Sequence, residues 1–368
     1  MIFAYDLRYV GDHYAGIGTF TFAVLEELLG LPGDERYLLL WDPRQPATRF
    51  DLGRLRAHPR VEWVERPYDP TDALSVVPVG GWLRGARPAA YFSPFSLRPV
   101  FSRCPEVLTL HDVTPLRVRH IPSRYRFQLY RLSLRHTLRA RFILTVSQFS
   151  RQEILALTRV RPERVRVALP GVAPWDPRLE PRRPAALPEG RFALLVGDNR
   201  PRKNHEVLAR AWGMLGPAPP LALVAAGPVD RRFPSLEGLA GSAGARRVVQ
   251  LGWVEPAELA WLYAHAEILL FPSVYEGFGS PLAEAFAHGL PALVSDIPVF
   301  HEVGGDAAVY VAPRDPAAWA RAVLRLSGDA AERERLRQAG LARAAELTYR
   351  KTAEATLAVL REAAGDRS

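Results

Sequence analysis

Short apolar runs alternate with amphipathic stretches along the first half of the chain. The runs include MIFAYDL, YLLLW, AAYFSP, VLTLHD and RFILTVS, and the stretches between them, such as TFTFAVLEELLG and QFSRQEILAL, repeat their apolar residues at helical spacing. This alternation is typical of βαβ units on a parallel sheet. The first half therefore predicts an α/β domain.

The same pattern resumes after a proline-rich segment. Residues 169–190 contain too many prolines for a central strand or a helix, which indicates a linker. The apolar runs beyond it are FALLVGD, LALVAAG, RVVQLGW, AEILLFPS, PALVSD and AAVYVAP, and the tail from residue 331 is rich in strong helix formers. We predict a second doubly wound domain, and a length of 368 residues suits two domains.

Composition limits the classes of protein to consider. No apolar run reaches the ~18 residues of a membrane span, and the first residues lack the basic and small-residue segments of a signal peptide. We therefore expect a cytoplasmic protein. The single cysteine, Cys104, excludes an internal disulfide and a multi-thiolate metal site.

The net charge of +9 lies entirely in the first half. Residues 1–170 carry 25 basic and 16 acidic residues, whereas residues 171–368 carry 23 of each. Eight arginines lie within 117–141, and no acidic residue lies between Asp112 and Glu153. Two hypotheses fit this segment: a core-packed helix with a solvated basic edge, or peripheral contact with an anionic membrane on the inner face of the cell membrane.

The segment ILLFPSVYEGFGSPLAEAFAHG contains the clearest site pattern. ILLF predicts a buried strand, Ser280 a helix cap with Pro281 at the first helical position, and Gly289 the helix end. Glu276 then lies in the loop before the helix and Glu284 about one turn inside it. A glycine turn at a helix N-terminus suits a diphosphate, and flanking carboxylates can accept hydrogen bonds from hydroxyls. A nucleotide sugar has this layout.

Polar residues follow other predicted strands. Arg202 and Lys203 come after FALLVGD, where they can neutralise a departing diphosphate, and His111 follows VLTLHD, where it can contact a sugar hydroxyl. Gly16 and Gly18 lie in the predicted first β-to-α turn. Each feature also has an ordinary explanation: surface charge beside a helix, a structural histidine, or a tight turn.

Together these motifs resemble the retaining glycosyltransferases of family 4. The resemblance rests on EGFGSPLAE, GDNRPRKNH, HDVTP, TVSQFSRQEI and ALPGV in this order. It implies the GT-B fold, with two Rossmann-like doubly wound domains that face a central cleft. The implied domains are 1–172 on the acceptor side, 173–349 for the nucleotide sugar, and a helix in 350–368 that returns to the first domain.

The resemblance also implies roles for the site residues. Glu276 is expected to bind hydroxyls of the transferred sugar, Arg202 and Lys203 to stabilise the leaving diphosphate, and His111 to support the sugar. Glu284 is expected to bind the ribose hydroxyls. The other expected donor-binding residues are Gly277, Phe278, Gly279, Ser280, Gly16 and Gly18.

The resemblance implies metal-independent transfer from a nucleotide-diphosphate sugar to the hydroxyl of a glycan, a lipid-linked acceptor or a small molecule. The motifs resemble those of mannosyltransferases and so favour GDP-mannose as the donor. UDP-sugars and other GDP-sugars remain alternative donors, because Ser280-Pro281 stands where the family often has Leu-Pro. A GT-B epimerase or phosphorylase is the main alternative. A nucleic-acid-binding protein, which the pI near 10 would fit, leaves the strand-end residues unexplained.

Overall fold

The computed structural model describes residues 1–12, 15–70, 72–118, 123–172, 179–244 and 247–365. The chain forms two compact units. The first unit consists of Met1–Ala173 and Thr348–Ser368, and the second unit consists of Pro174–Leu347.

The first unit contains a seven-stranded parallel sheet. Its strands are β1 (Ile2–Asp6), β2 (Arg36–Trp41), β3 (Val61–Glu65), β4 (Ala90–Ser93), β5 (Glu106–Thr109), β6 (Phe142–Thr145) and β7 (Val165–Val167). They lie in the order β3-β2-β1-β4-β5-β6-β7. The order reverses between β1 and β4, and the inner strands are buried apolar runs, as expected where helices cover both faces of a sheet.

In the described part of residues 1–172, six α-helices accompany these strands. They are α1 (Ala15–Gly30), α2 (Leu52–Arg56), α3 (Val76–Ala86), α4 (Thr114–Arg117), α5 (Arg124–Thr137) and α6 (Gln148–Leu157).

The second unit contains a six-stranded parallel sheet in the order β10-β9-β8-β11-β12-β13. The strands are β8 (Phe192–Val196), β9 (Ala222–Ala226), β10 (Val248–Gly252), β11 (Ile268–Phe271), β12 (Ala292–Ser295) and β13 (Ala308–Val311). The order reverses between β8 and β11. Ligands in open α/β sheets bind outside the carboxyl ends of the strands at such a reversal, so the loops after β8 and β11 mark the candidate site.

The helices of the second unit are α7 (His205–Met214), α8 (Leu236–Gly244), α9 (Pro256–His265), α10 (Ser280–Ala287), α11 (Pro298–Gly304), α12 (Pro316–Gly328) and α13 (Ala330–Glu346). Their apolar faces cover the sheet, with Trp212 and Trp319 fully buried in the core. The predicted α/β architecture is confirmed.

The last helix, α14 (Tyr349–Ala364), belongs to the first unit although it follows the whole second unit in sequence. Its Ala353, Leu357 and Leu360 share one buried cluster with Val24 and Leu28 of α1. These contacts make α14 part of the core of the first unit.

Candidate functional site

Asn204 connects the loop after β8 to two neighbouring loops. Asn204 adopts the left-handed conformation (φ 56°) at the start of α7, a conformation that asparagine tolerates better than most residues. Its Nδ2 donates to the carbonyl oxygens of Pro272 (3.0 Å) and Pro313 (2.7 Å). The loops after β8, β11 and β13 are thereby tied together.

Glu276, in the loop after β11, lies between two cations of the loop after β8. Its Oε1 is 2.8 Å from Arg202 Nη1 and 2.8 Å from Lys203 Nζ, and the residue is 9% exposed. Burial opposes ionisation of this carboxyl, but the charges of Lys203 and Arg202 outweigh it and lower the pKa of Glu276. The three side chains therefore form a buried charged cluster in which Glu276 is ionised at neutral pH.

The two cations differ in their surroundings. Lys203 Nζ lies 4.9 Å from the centroid of the Phe271 ring, and a Cβ added to Gly197 would lie 3.4 Å from Lys203 Cε, so the lysine stem is enclosed. Arg202 is more exposed, and its Nη2 lies 3.9 Å from Asp198 Oδ2. A ligand that binds these cations has to compete with carboxylates already present.

The helix α10 begins at a glycine cap. Gly279 is the N-cap (φ 96°) and Ser280 is the first helical residue, so the prediction that Ser280 caps the helix, with Pro281 at the first position, was wrong. The reason is steric: the chain turns in the left-handed region, and a Cβ at position 279 would lie 2.8 Å from Phe300 Cε1. No side chain in the described part of the chain caps α10, so its N-terminal amides suit an anion.

Glu284 lies one turn into α10 and is half-buried. The Tyr263 hydroxyl of α9 donates a hydrogen bond to Glu284 Oε2 at 2.7 Å. Sequence reasoning missed Tyr263, although it lies in the segment LAWLYAHAEI that directly precedes the site motif. A contact across 21 residues has no signature in a single sequence.

The second unit brings most of the predicted site residues to one edge of its sheet. These are Arg202, Lys203, Glu276, Gly277, Phe278, Gly279, Ser280 and Glu284. Two cations and the start of a helix can bind a diphosphate, and the carboxylates beside them can accept hydrogen bonds from hydroxyls.

The remaining predicted residues belong to the first unit. Gly16 and Gly18 lie in the first turn of α1. The prediction that they lie in the β-to-α turn before this helix was therefore wrong. A Cβ on Gly18 would lie 3.0 Å from the Tyr9 carbonyl oxygen, whereas Gly16 has open space. His111 follows β5, and its Nε2 lies 2.8 Å from the Pro94 carbonyl. Since a carbonyl can only accept, that nitrogen carries a proton, and burial lowers the pKa of His111.

The described residues contain neither a cluster suited to a metal ion nor a helix suited to span a membrane. No group of three or more His, Cys, Asp or Glu side chains there is arranged to hold a metal ion. Over the same residues, no helix combines the length and hydrophobicity that crossing a membrane requires.

Known proteins identify the family. Residues 190–329 match the family model described as "Glycosyl transferases group 1", and this range contains the charged cluster and α10. The O-antigen chain mannosyltransferase B of Escherichia coli is 31% identical over 273 residues, which cover 68% of this chain and 68% of that protein. The chain is a group 1 glycosyltransferase. The family resemblance predicted from the motifs is thus confirmed.

Other comparisons agree with this glycosyltransferase assignment. The O-antigen chain mannosyltransferase RfbU of Salmonella typhimurium is 30% identical over 220 residues, 59% of this glycosyltransferase and 60% of that protein. The sucrose-phosphate synthase of Thermosynechococcus elongatus has a TM-score of 0.72 at 18% identity, covering 98% of each chain. WaaG, a glycosyltransferase involved in lipopolysaccharide biosynthesis, has a TM-score of 0.68 at 17% identity, covering 98% of this chain and 99% of that one. At these identities the structures confirm the GT-B fold alone.

Proposed function

We propose that this glycosyltransferase transfers a mannosyl group from GDP-mannose to a hydroxyl of a glycan or lipid-linked acceptor, with retention of configuration. The observation that carries the proposal is the Arg202–Glu276–Lys203 cluster beside the start of α10. The names of the relatives from Escherichia coli and Salmonella typhimurium support mannose as the sugar.

Each part of the site has a role in this proposal. The diphosphate binds at the start of α10 and contacts Arg202 and Lys203. Glu276 accepts hydrogen bonds from hydroxyls of the transferred sugar. Glu284 binds the ribose. Within the first unit, His111 Nε2 donates to the Pro94 carbonyl, which leaves Nδ1 to act as a hydrogen-bond acceptor.

The proposal includes metal-independent chemistry. Negative charge grows on the leaving diphosphate as the glycosidic bond breaks, and fixed cations beside it stabilise that charge most in the transition state. Arg202 and Lys203 supply two such cations. A front-face attack, with the leaving phosphate accepting the proton of the acceptor hydroxyl, fits retention without a carboxylate nucleophile.

Titration calorimetry and product analysis test the donor. We expect GDP to bind more tightly than UDP, and mannose from GDP-mannose to appear in an α-linked product only when an acceptor is present. NMR of the anomeric proton reports the configuration. Preference for UDP would overturn the choice of donor, and an epimerised or phosphorolysed sugar without acceptor would favour the epimerase or phosphorylase alternative.

We also propose that helix α5 contacts an anionic membrane, which would place the enzyme at the inner face of the cell membrane. Leu134 packs into the first unit, while Tyr125 (71%), Leu129 (45%) and Leu132 (58%) are exposed on the outside of the helix. Their spacing of four and three residues gives one outward apolar stripe. Exposed arginines flank it, namely Arg124, Arg126, Arg131 and Arg135. An outward apolar stripe between cations is typical of helices that lie in a membrane interface.

Liposome flotation checks this contact. We expect the protein to float with anionic but not zwitterionic vesicles at low salt, because each arginine near an anionic leaflet contributes about 1 kcal/mol. Changing Arg131, Arg135 and Arg139 to glutamine should abolish flotation, and Leu129→Ser with Leu132→Ser should weaken it. The control variant removes the same charge from exposed arginines of the second unit, Arg210, Arg321 and Arg325. Flotation that ignores lipid charge, or equal loss in the control, would favour a soluble acceptor.

A further inference from the structure

A buried tyrosine contacts the carboxylate that we assign to the ribose. Tyr263 is 1% exposed, and its hydroxyl donates to Glu284 Oε2 at 2.7 Å. The Tyr263 ring also stacks on the His288 ring, with centroids 5.2 Å apart and planes within 8°. The phenol is therefore held on both its ring and its hydroxyl.

The Tyr263 hydroxyl is the donor in this hydrogen bond. Burial, followed by the charge of Glu284, raises the pKa of Tyr263 well above its usual value, so the hydroxyl keeps its proton and acts as donor. Hydrogen bonds to an ionised acceptor are among the stronger ones in proteins. The Oε2 oxygen of Glu284 is thus held by a fixed donor.

We propose that Tyr263 is a positioning residue, which fixes the Glu284 carboxylate in the orientation that accepts hydrogen bonds from the donor ribose. The inference rests on the proposed role of Glu284 in nucleotide binding. Without the tyrosine hydroxyl, the Glu284 carboxylate loses the hydrogen bond that fixes its Oε2, and binding must restore its orientation.

Tyr263→Phe tests this role with little change in packing. We expect the Kd for GDP to rise about tenfold, which corresponds to the loss of one hydrogen bond to a charged group. The KM for the donor should rise similarly, while kcat at saturating donor stays within about twofold, because the ribose is bound equally in the ground state and the transition state.

Tyr91→Phe is the matched control. Tyr91 is a buried tyrosine of the first unit whose hydroxyl donates to Asp6 Oδ2, also at 2.7 Å. Its loss should lower the unfolding temperature about as much as Tyr263→Phe does, with no change in GDP affinity. Equal losses of GDP affinity in the two variants would overturn the positioning role and leave only a general effect on folding.

A double-mutant cycle separates this inference from the proposed function. With Glu284→Ala in place, Tyr263→Phe should change the Kd for GDP less than twofold, since the group it positions is gone. If the two changes are additive, Tyr263 acts independently of Glu284 and the inference is wrong. If Glu284→Ala alone leaves GDP affinity unchanged, the proposed role of Glu284 fails and the inference with it. If Glu284→Ala weakens GDP binding but Tyr263→Phe does not, only the inference fails.

Discussion

Changing Glu276 to alanine should lower sugar transfer at least 100-fold while GDP binds to the variant as tightly as to the wild type, or more tightly. The loss of transfer follows from the missing contact with the sugar; removal of one such polar group in other enzymes costs about 10²–10³ in rate. The retained affinity follows from the charges. Glu276 contacts both Arg202 and Lys203 at 2.8 Å. In its absence, no Glu276 carboxylate competes with the diphosphate for these two cations.

Initial rates and calorimetric titration with GDP check this pair of effects. Loss of one partner from a buried ion pair typically costs about 3–5 kcal/mol of stability, so the variant is measured below its own unfolding temperature.

The lowered pKa of Glu276 means that its ion pairs stabilise the wild type above the unfolded-state pKa of about 4.3 and lose this effect as acid protonates the carboxylate. Glu276→Ala should show a smaller loss of stability over that acidic range.

Glu206→Ala is the control, because it breaks an exposed pair with Arg210 on the same unit. It should change neither transfer nor stability measurably. Markedly weaker GDP binding by Glu276→Ala would contradict the competition between carboxylate and diphosphate.

Changing Lys203 to alanine should lower kcat about 100-fold and the affinity for the donor much less, because the charge that it stabilises grows toward the transition state. Arg202→Ala should act in the same direction with a smaller effect, since its side chain is more exposed than that of Lys203. Steady-state kinetics over a range of donor concentrations separates kcat from KM.

Arg200→Ala provides the comparison within the same loop. Arg200 is an exposed cation whose Nε lies 3.7 Å from Asp198 Oδ2, and its loss should leave kcat nearly unchanged. EDTA should not affect any of these enzymes. Activity that EDTA abolishes and manganese restores would contradict the metal-independent scheme. A higher KM with an unchanged kcat in Lys203→Ala would show that Lys203 does not stabilise the leaving group.

The sequence predicted the central strands well and the edge strands of the first unit poorly. All six strands of the second unit and the inner strands of the first coincide with largely apolar runs, and the inner strands of both sheets are buried because helices cover both faces. The edge strands β3 (VEWVE) and β7 (VRV) carry charges, and β7 has only three residues, so they lack this signal.

The details of the site depended on contacts between distant residues. The cap at Gly279 is fixed by Phe300, and the carboxylate of Glu284 is held by Tyr263. For α5, the sequence indicated a core-packed helix, and the side that packs inward carries Tyr130, Leu134 and Leu138. The outward apolar stripe of Tyr125, Leu129 and Leu132 could be identified as exposed only once the packing of α5 was known.

The position of α14 affects the order in which the protein matures during translation. At about 5–20 residues per second, a ribosome needs about 10–35 s to add the 174 residues of Pro174–Leu347 that separate the two parts of the first unit. Throughout that interval the apolar surface of α1 that α14 later covers has no partner from the last helix. The half of the enzyme that is synthesised first is therefore the half that is completed last, and its nascent form carries the greater risk of aggregation.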